Sequence, residues 1–293
     1  MNLLLLERTL AARAPEGRAC VPVIGAGVNI QAALQDGARN TNDWDGLLNR
    51  VSEEVGIDGP LPPTPLAKWE TLLRRWSLHK RVEPFKAEEQ LQAFVCRELR
   101  AHETTTARYS LYGEFLDAGF RDIISLNFDR QIALHRTNER FIAPRRRDLL
   151  YRHSIAGATR IWYPHGDTRK SATLKLGVRK YGMLIGTLER ERTRIMAATR
   201  SRGRDTSRAH WLDLILLGAP LVFIGCGLAA DEWPLWWLLH QRARNCGHSA
   251  ETWMLSTKGS TAPHLAGSPS GVHVVEFDSH AKLWQFVRTA LSR

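Results

Sequence analysis

A chain of 293 residues with 43% hydrophobic and 24% charged side chains has the composition of a soluble globular protein large enough to bury a substantial core. No run approaches the roughly 18 apolar residues of a membrane span. Glu7 and Arg8 interrupt the apolar start before it reaches secretion-signal length, so a cytoplasmic protein is expected.

The net charge of +11 is mostly arginine, gathered in Arg140–Arg152 and Arg190–Arg208. Such a field attracts nucleic acid, an acidic partner or a phosphate-bearing small molecule. The second run has no aromatic residue and the first only Phe141 and Tyr151 near its ends, short of the interleaving that stacks on bases, so a solvated helix face and loop is the plainer reading. Cys20, Cys96, Cys226 and Cys246 show no C-x-x-C spacing and read as scattered reduced thiols, not as a zinc knuckle.

In chain order, the first clear element is a strand within Val23–Asn29 that runs into the turn Gly25-Ala26-Gly27. From Asp45, the residues Leu47, Leu48, Val51 and Val55 recur at helical spacing, and Pro60, Pro62, Pro63 and Pro65 then break the chain. Leu66, Trp69, Leu72, Leu73 and Trp76 predict one amphipathic helix, and Leu91, Phe94, Val95 and Leu99 a second. A helix over Thr106–Leu116 is expected to stop at Gly119, and Asp122–Leu126 and Ile161–Pro164 read as strands. A basic helical segment is expected at about 180–210, followed by an apolar helix over Ala209–Leu217. Leu221–Ile224 is a strongly apolar strand that enters Gly225-Cys226-Gly227. Asp231 suits the N-cap of the next helix, Pro234 its first turn, and Trp233–Leu239 its buried face. Thr252–Leu255 and His273–Phe277 read as strands, and a last helix carries Leu283, Phe286, Val287 and Leu291 on one face.

Short apolar strands separated by helices predict an α/β fold, a Rossmann-like parallel sheet covered by helices on both sides. One domain over 1–293, with a helical insertion at about 45–119, accounts for the chain. In such sheets ligands lie beyond the carboxyl ends of the strands, and the informative polar residues fall there. Gly25 and Gly27 are expected to leave room for a pyrophosphate, held by amides at the helix start. The third glycine of the common dinucleotide fingerprint is replaced by Ile30. Gly225-Cys226-Gly227 supplies a second turn able to grip the same ligand. Asn127 and Asp129 end one strand and His165, in Pro164-His165-Gly166, ends another. Each has an ordinary role too: Asn127 and Asp129 in local turns or caps, His165 as a satisfied core histidine. Together, at matched strand ends, they point to a dinucleotide site with chemistry beside it.

Val23–Asn29, Ser125–Asp129, Pro164–Asp167 and Phe223–Leu228 occur in the order and character found in sirtuin-like proteins. Gly25-Ala26-Gly27 resembles the family's glycine-alanine-glycine turn, Asn127-Phe128-Asp129 its asparagine-x-aspartate, and His165-Gly166 its histidine-glycine pair. Gly225-Cys226-Gly227 approximates its glycine-x-serine turn, with Cys226 where a small hydroxyl residue is usual. Lys175–Tyr181 and Ile224–Asp231 look like the bacterial branch associated with phage defence. That branch is similar in lacking the four-cysteine zinc module of the protein deacetylases.

The resemblance implies NAD as substrate, no zinc or other metal, and hydrolysis to nicotinamide and ADP-ribose. It implies NAD contacts from Gly25, Ala26, Gly27, Asn29, Gly225, Cys226 and Gly227, and Asp278 after the last strand is read with them. Asn127 is expected to position the ribose or the attacking water, and Asp129 to orient the nicotinamide end or stabilise the developing cation. His165 is expected to accept a proton. Unchecked NAD hydrolysis harms its host, so gating is expected, through homo-oligomerisation or a partner such as a ring-shaped translocase ATPase or a nucleic-acid-guided protein. Two alternatives stay open: ADP-ribosyl transfer by the same residues, and a non-catalytic scaffold that binds a nucleotide or nucleic acid.

Overall fold

The computed structural model describes residues 2–14, 17–38, 44–56, 59–143, 148–202, 210–246, 251–259 and 271–292. Arg145, Arg146 and Arg147 of the first basic run, and Arg204, Arg208 and the expected helix start Ala209, lie outside the described residues.

The chain opens with α1 (Asn2–Ala11), a helix not anticipated from its apolar start, and a short antiparallel pair, β1 (Arg13–Ala14) and β2 (Gly17–Arg18). β3 (Val21–Ile24) passes through Gly25 into α2 (Ala26–Gln35). Then come α3 (Trp44–Val55), α4 (Pro65–Lys80), α5 (Pro84–Thr106), α6 (Ser110–Asp117), β4 (Asp122–Ser125) and α7 (Gln131–Leu134). β5 (Arg140–Ile142), α8 (Asp148–Tyr151), β6 (His153–Ala156) and β7 (Thr159–Trp162) precede α9 (Gly177–Arg202) and α10 (Trp211–Leu216). The last elements are β8 (Leu221–Ile224), α11 (Trp233–Cys246), β9 (Thr252–Thr257), β10 (His273–Phe277) and α12 (His280–Leu291).

Eight strands form one sheet in the order β10-β9-β8-β3-β4-β7-β6-β5. The run from β10 to β7 is parallel, as expected of a Rossmann-like α/β protein. β6 and β5 run antiparallel, so the sheet is mixed where a parallel one was expected. The cause is local: Ala156 pairs with Thr159 across a two-residue turn, and Gly157 takes a φ of +64° there. A glycine at the first turn position with positive φ closes a hairpin tightly, without a crossover helix. The strand expected at Ile161–Pro164 therefore begins two residues earlier.

Both faces of the sheet are covered. Strand side chains alternate between them, because successive residues of a strand point to opposite sides. Ile24, Ile123, Ile161, Val222 and Ile224 pack with α1, α2, α6, α7 and α12. Val21, Val23, Ile124, Trp162 and Phe223 pack with α8 through α11. Each fully buried Leu, Ile or Phe contributes about 1.5–3 kcal/mol of transfer free energy. These two layers therefore dominate stability.

The expected insertion at about 45–119 divides in two. α3, α4 and α5 build a core of their own from Leu47, Leu48, Trp69, Leu72, Leu91 and Val95, closed by Leu174 and Leu176 from the segment after β7. α6 instead joins the sheet's core through Leu111, Tyr112 and Phe115. The helix expected over Thr106–Leu116 is broken at Ala107–Tyr109, and Asp36 accepts hydrogen bonds from the Ser110 amide and hydroxyl at the new start. Asp231 does not cap α11 as expected. Its Oδ2 accepts from the Leu66 amide at 3.2 Å, so it ties the start of α4 to the loop after β8. That tether, with Glu70 accepting from the Val178 amide at 2.7 Å, fixes the three-helix unit over the carboxyl end of the sheet.

Candidate active site

Strand order reverses at β3, whose neighbours are β4 on one side and β8 on the other. Open α/β sheets form their ligand crevice at such a reversal, beyond the carboxyl ends of the strands. A cavity of about 290 Å³ lies there, lined by Gly25 and Ala26 after β3, Leu126–Asp129 after β4, His165 after β7 and Gly225–Ala229 after β8. Trp44, Leu47 and Leu99 of the three-helix unit form its apolar roof, and Tyr181 of α9 and Glu232 join its wall. The volume sits at the lower limit of the roughly 300–1,000 Å³ common for small-molecule pockets. A larger cleft of about 960 Å³ opens between α2, α6 and α12, around Glu114, Trp284 and Arg288. It lies away from these strand ends and contains none of the strand-end residues, so the smaller cavity is the better candidate.

The two glycine turns interlock. The Gly27 amide donates to the Gly225 carbonyl at 2.9 Å. A Cβ on Gly25 would stand 2.6 Å from the Gly225 oxygen, and one on Gly27 would stand 2.7 Å from the Gly225 Cα. Gly225 itself has a φ of +65°, and its Cβ would meet the Val28 amide nitrogen at 2.6 Å. The space expected to admit a pyrophosphate at Gly25 and Gly27 is thus filled by the second turn. Gly227 is different: nothing lies within 4 Å of where its Cβ would be. Ala26, at the first position of α2 where helix amides lack intrahelical acceptors, remains on the cavity wall. Cys226 turns inward and donates its thiol to the Val23 carbonyl at 3.3 Å, and burial pushes its pKa well above the ordinary thiol value.

Asp129 is buried beneath the β4 end. Asn29 Nδ2 donates to its Oδ2 at 2.8 Å, and the Gln131 amide donates to its Oδ1 at 3.2 Å. The Tyr112 hydroxyl lies 2.9 Å from Asn29 Oδ1 and also reaches Gln131 Oε1, so Asn29 belongs to this network and is absent from the cavity lining. Burial pushes the Asp129 carboxyl up to about 6, and the hydrogen bonds from Gln131 and Asn29 only partly offset it. Both carboxyl oxygens are therefore engaged, and of the two ordinary roles open to Asp129 from sequence the local turn is present, at Gln131, while Arg130 holds the N-cap position of α7.

Asn127 is half-buried on the cavity wall, and among the described residues no hydrogen bond holds its amide. His165 is 5% exposed, and the Leu126 backbone hydrogen-bonds its ring. The Gly166 turn that presents it has a φ of +86°, a left-handed conformation natural to glycine. Burial lowers the His165 pKa below its ordinary 6.5, the Glu232 carboxylate opposes that, and the charge of Lys175 adds to it. A neutral, base-competent imidazole at pH 7 follows. Its ring lies between Phe128 and Tyr181, with centroids 6.2 and 6.1 Å away.

Sequence reading missed two wall residues. Tyr181 donates its hydroxyl to Glu232 Oε1 at 3.1 Å, and Glu232 Oε2 stands 3.9 Å from His165 Nε2. That oxygen is buried without a hydrogen-bond partner. The carboxylate just before Trp233-Pro234 was the available signal, but Asp231 beside it looked the better cap. Asp278, read with the NAD contacts, does not line the cavity. It lies past β10, two strands beyond β8 at the sheet edge, and pairs with Lys258 and Lys282. Among the described residues no group of three or more His, Cys, Asp or Glu is placed to hold a metal ion, and no helix is long and apolar enough to cross a membrane.

No protein-family model matches the chain, and no curated protein matches it.

Proposed function

We propose that the chain hydrolyses NAD at the bond between nicotinamide and ribose, releasing nicotinamide and ADP-ribose. The observation that carries this reading is the meeting of a buried neutral imidazole, His165, with the uncommitted amide of Asn127 in one cavity beside the start of α2. Dinucleotide phosphates suit that helix N-terminus, where the Ala26 amide and the helix dipole favour negative charge while the Gly27 and Val28 amides are bonded to Gly225 and Gly25. The apolar walls from Trp44, Phe128 and Leu126 suit the flat nicotinamide ring.

Nicotinamide is cationic while bonded to ribose, so it needs no acid to depart. As the bond from C1′ to the ring nitrogen breaks, its electron pair returns to nicotinamide and an oxocarbenium-like sugar develops. A water oxygen bonds to C1′, and its proton passes to His165, which later releases it to solvent. Asn127 orients the ribose or that water through its amide. Asp129 acts at one remove: its hydrogen bonds hold the turn that presents Asn127. General-base help of this kind contributes roughly 10²- to 10⁴-fold.

On the same reading the activity is gated, by assembly of copies or by a separate partner, because constant NAD loss would poison the cell that makes the protein. That is the behaviour of an effector in antiviral defence. The test is nicotinamide release from NAD by the purified protein, alone and with extract of phage-infected cells, beside Asn127→Ala and His165→Ala. Release that needs both residues supports the reading, and free ADP-ribose as co-product distinguishes hydrolysis from transfer to an acceptor. NAD that binds without any release in either condition would overturn it in favour of a binding scaffold.

A further inference from the structure

We infer that Glu232 is a positioning residue of this site, a carboxylate that orients His165 and stabilises its imidazolium when the imidazole takes a proton. The inference rests on the NAD hydrolase reading for its catalytic meaning, but its geometry stands by itself.

Glu232 occupies the residue before α11, where a side chain ordinarily folds back to cap its own helix. Here it has no amide to cap. Pro234 carries no N–H, and the Leu235 and Trp236 amides already donate to the Glu232 carbonyl oxygen at 3.0 and 3.2 Å. The carboxylate is thus released from the helix and turns to the cavity. One oxygen is held by the Tyr181 hydroxyl, and Tyr181 is braced edge-on by Trp233 with ring centroids 5.7 Å apart. The other oxygen is buried, lacks a hydrogen-bond partner, and faces His165 Nε2 at 3.9 Å.

That distance is longer than a hydrogen bond. Catalytic pairs in ligand-free proteins are often loose and tighten only with substrate present. Once the water proton reaches His165, a cation forms in a buried place with a carboxylate directly opposite. The titratable and charged groups around this pair are Tyr181 from α9, Asp231 from the loop before α11, Lys175 from the segment after β7 and the Cys226 thiol from the turn after β8, which burial keeps neutral. Lys175 disfavours a charged His165, and Glu232, ahead of the Leu126 backbone, is the larger of the two groups that counter it.

The experiment is an NMR titration of the histidine side chains in the full chain, in wild type, Glu232→Gln, Glu232→Asp and Tyr181→Phe, with His165→Ala to assign the resonance. Glu232→Gln should lower the His165 pKa by about one unit or more, the scale of an opposite charge within 4–6 Å. Glu232→Asp should recover part of the shift, and Tyr181→Phe should shift it less than Glu232→Gln. In nicotinamide release, Glu232→Gln should reduce kcat about tenfold, the equivalent of one unit of lost imidazolium stabilisation. KM should stay constant, and the acid limb of the pH–rate profile should move in the same direction as the NMR value. A His165 pKa unmoved by Glu232→Gln overturns the proposal, whatever the activity. A shifted His165 pKa in a wild type that never releases nicotinamide keeps the pairing and overturns the hydrolase reading instead.

Discussion

The cavity has two polar walls that differ in how fully their hydrogen bonds are made. Beneath the β4 end, Asp129 accepts from Asn29 and Gln131 while Tyr112 closes the network behind them. Across from it, Glu232 Oε2 has no hydrogen-bond partner and His165 stands 3.9 Å off. A buried polar group left unsatisfied costs about 1–3 kcal/mol, so folding alone gives little reason to keep the second wall as it is. On the first wall both Asp129 oxygens are engaged, and the unpartnered Gln131 Nε2 of that network lies outside the cavity lining; the second wall keeps, inside the cavity, bonding capacity that a ligand can use. Polar residues at a strand end thus divide by satisfaction, and their chemistry follows from that division more than from residue type.

The largest expected effect falls on the unsatisfied wall. His165→Ala should reduce nicotinamide release roughly 10²- to 10⁴-fold while far-UV circular dichroism stays that of the wild type. A folded variant with undiminished release would erase the distinction between the walls. Next come the interlocked turns. Gly225→Ala places a Cβ 2.6 Å from a backbone nitrogen at a φ of +65°, and the crowding should cost about 1–3 kcal/mol or more by chemical denaturation. Gly227→Ala, in open space, should leave stability unchanged. Equal losses in the two variants would mean that the turns do not interlock.

The Asp129 wall should reveal itself through pH dependence. The Asp129 carboxyl keeps its proton to about pH 6 in the folded state, against an ordinary value of 3.8. Between those values the folded chain binds more protons than the unfolded one. The stability from this group is therefore full below about pH 4 and is lost as pH rises through about 6. His165 and His153 work in the opposite sense, because their lowered values make stability fall as pH drops through 6.5. The stability difference between wild type and Asp129→Asn isolates the carboxyl: it should move against the wild type from pH 4 to pH 7. A difference that is flat with pH would contradict the burial of Asp129. The smallest effect belongs to Asp278→Ala, at an exposed ion-paired position, which should leave nicotinamide release unchanged.

Much of this fold is readable from local pattern. Leu221–Ile224 is the strand its four apolar residues predict, and the helical spacing from Leu47 to Leu99 marks α3, α4 and α5. The strand-end residues Asn127, Asp129 and His165 do converge on one cavity. What local pattern conceals is pairing at a distance. Gly25 and Gly27 look like a phosphate cradle until Gly225, two hundred residues on, is placed against them. Asp129 looks available until Asn29 is found bonded to it. Asp231 has the residue type of a cap, yet its partner is Leu66 of another helix. Glu232 passes unnoticed because its meaning comes from His165 and Tyr181, which sequence does not bring near it.

The most direct measurement on the central claim is amide hydrogen exchange, followed by mass spectrometry, of the full chain with and without NAD. The site described here predicts protection in segments 125–129, 163–167 and 225–232, with segments 110–118 and 281–292 around the larger cleft unchanged. Protection centred on that larger cleft, or none at saturating NAD, would contradict it.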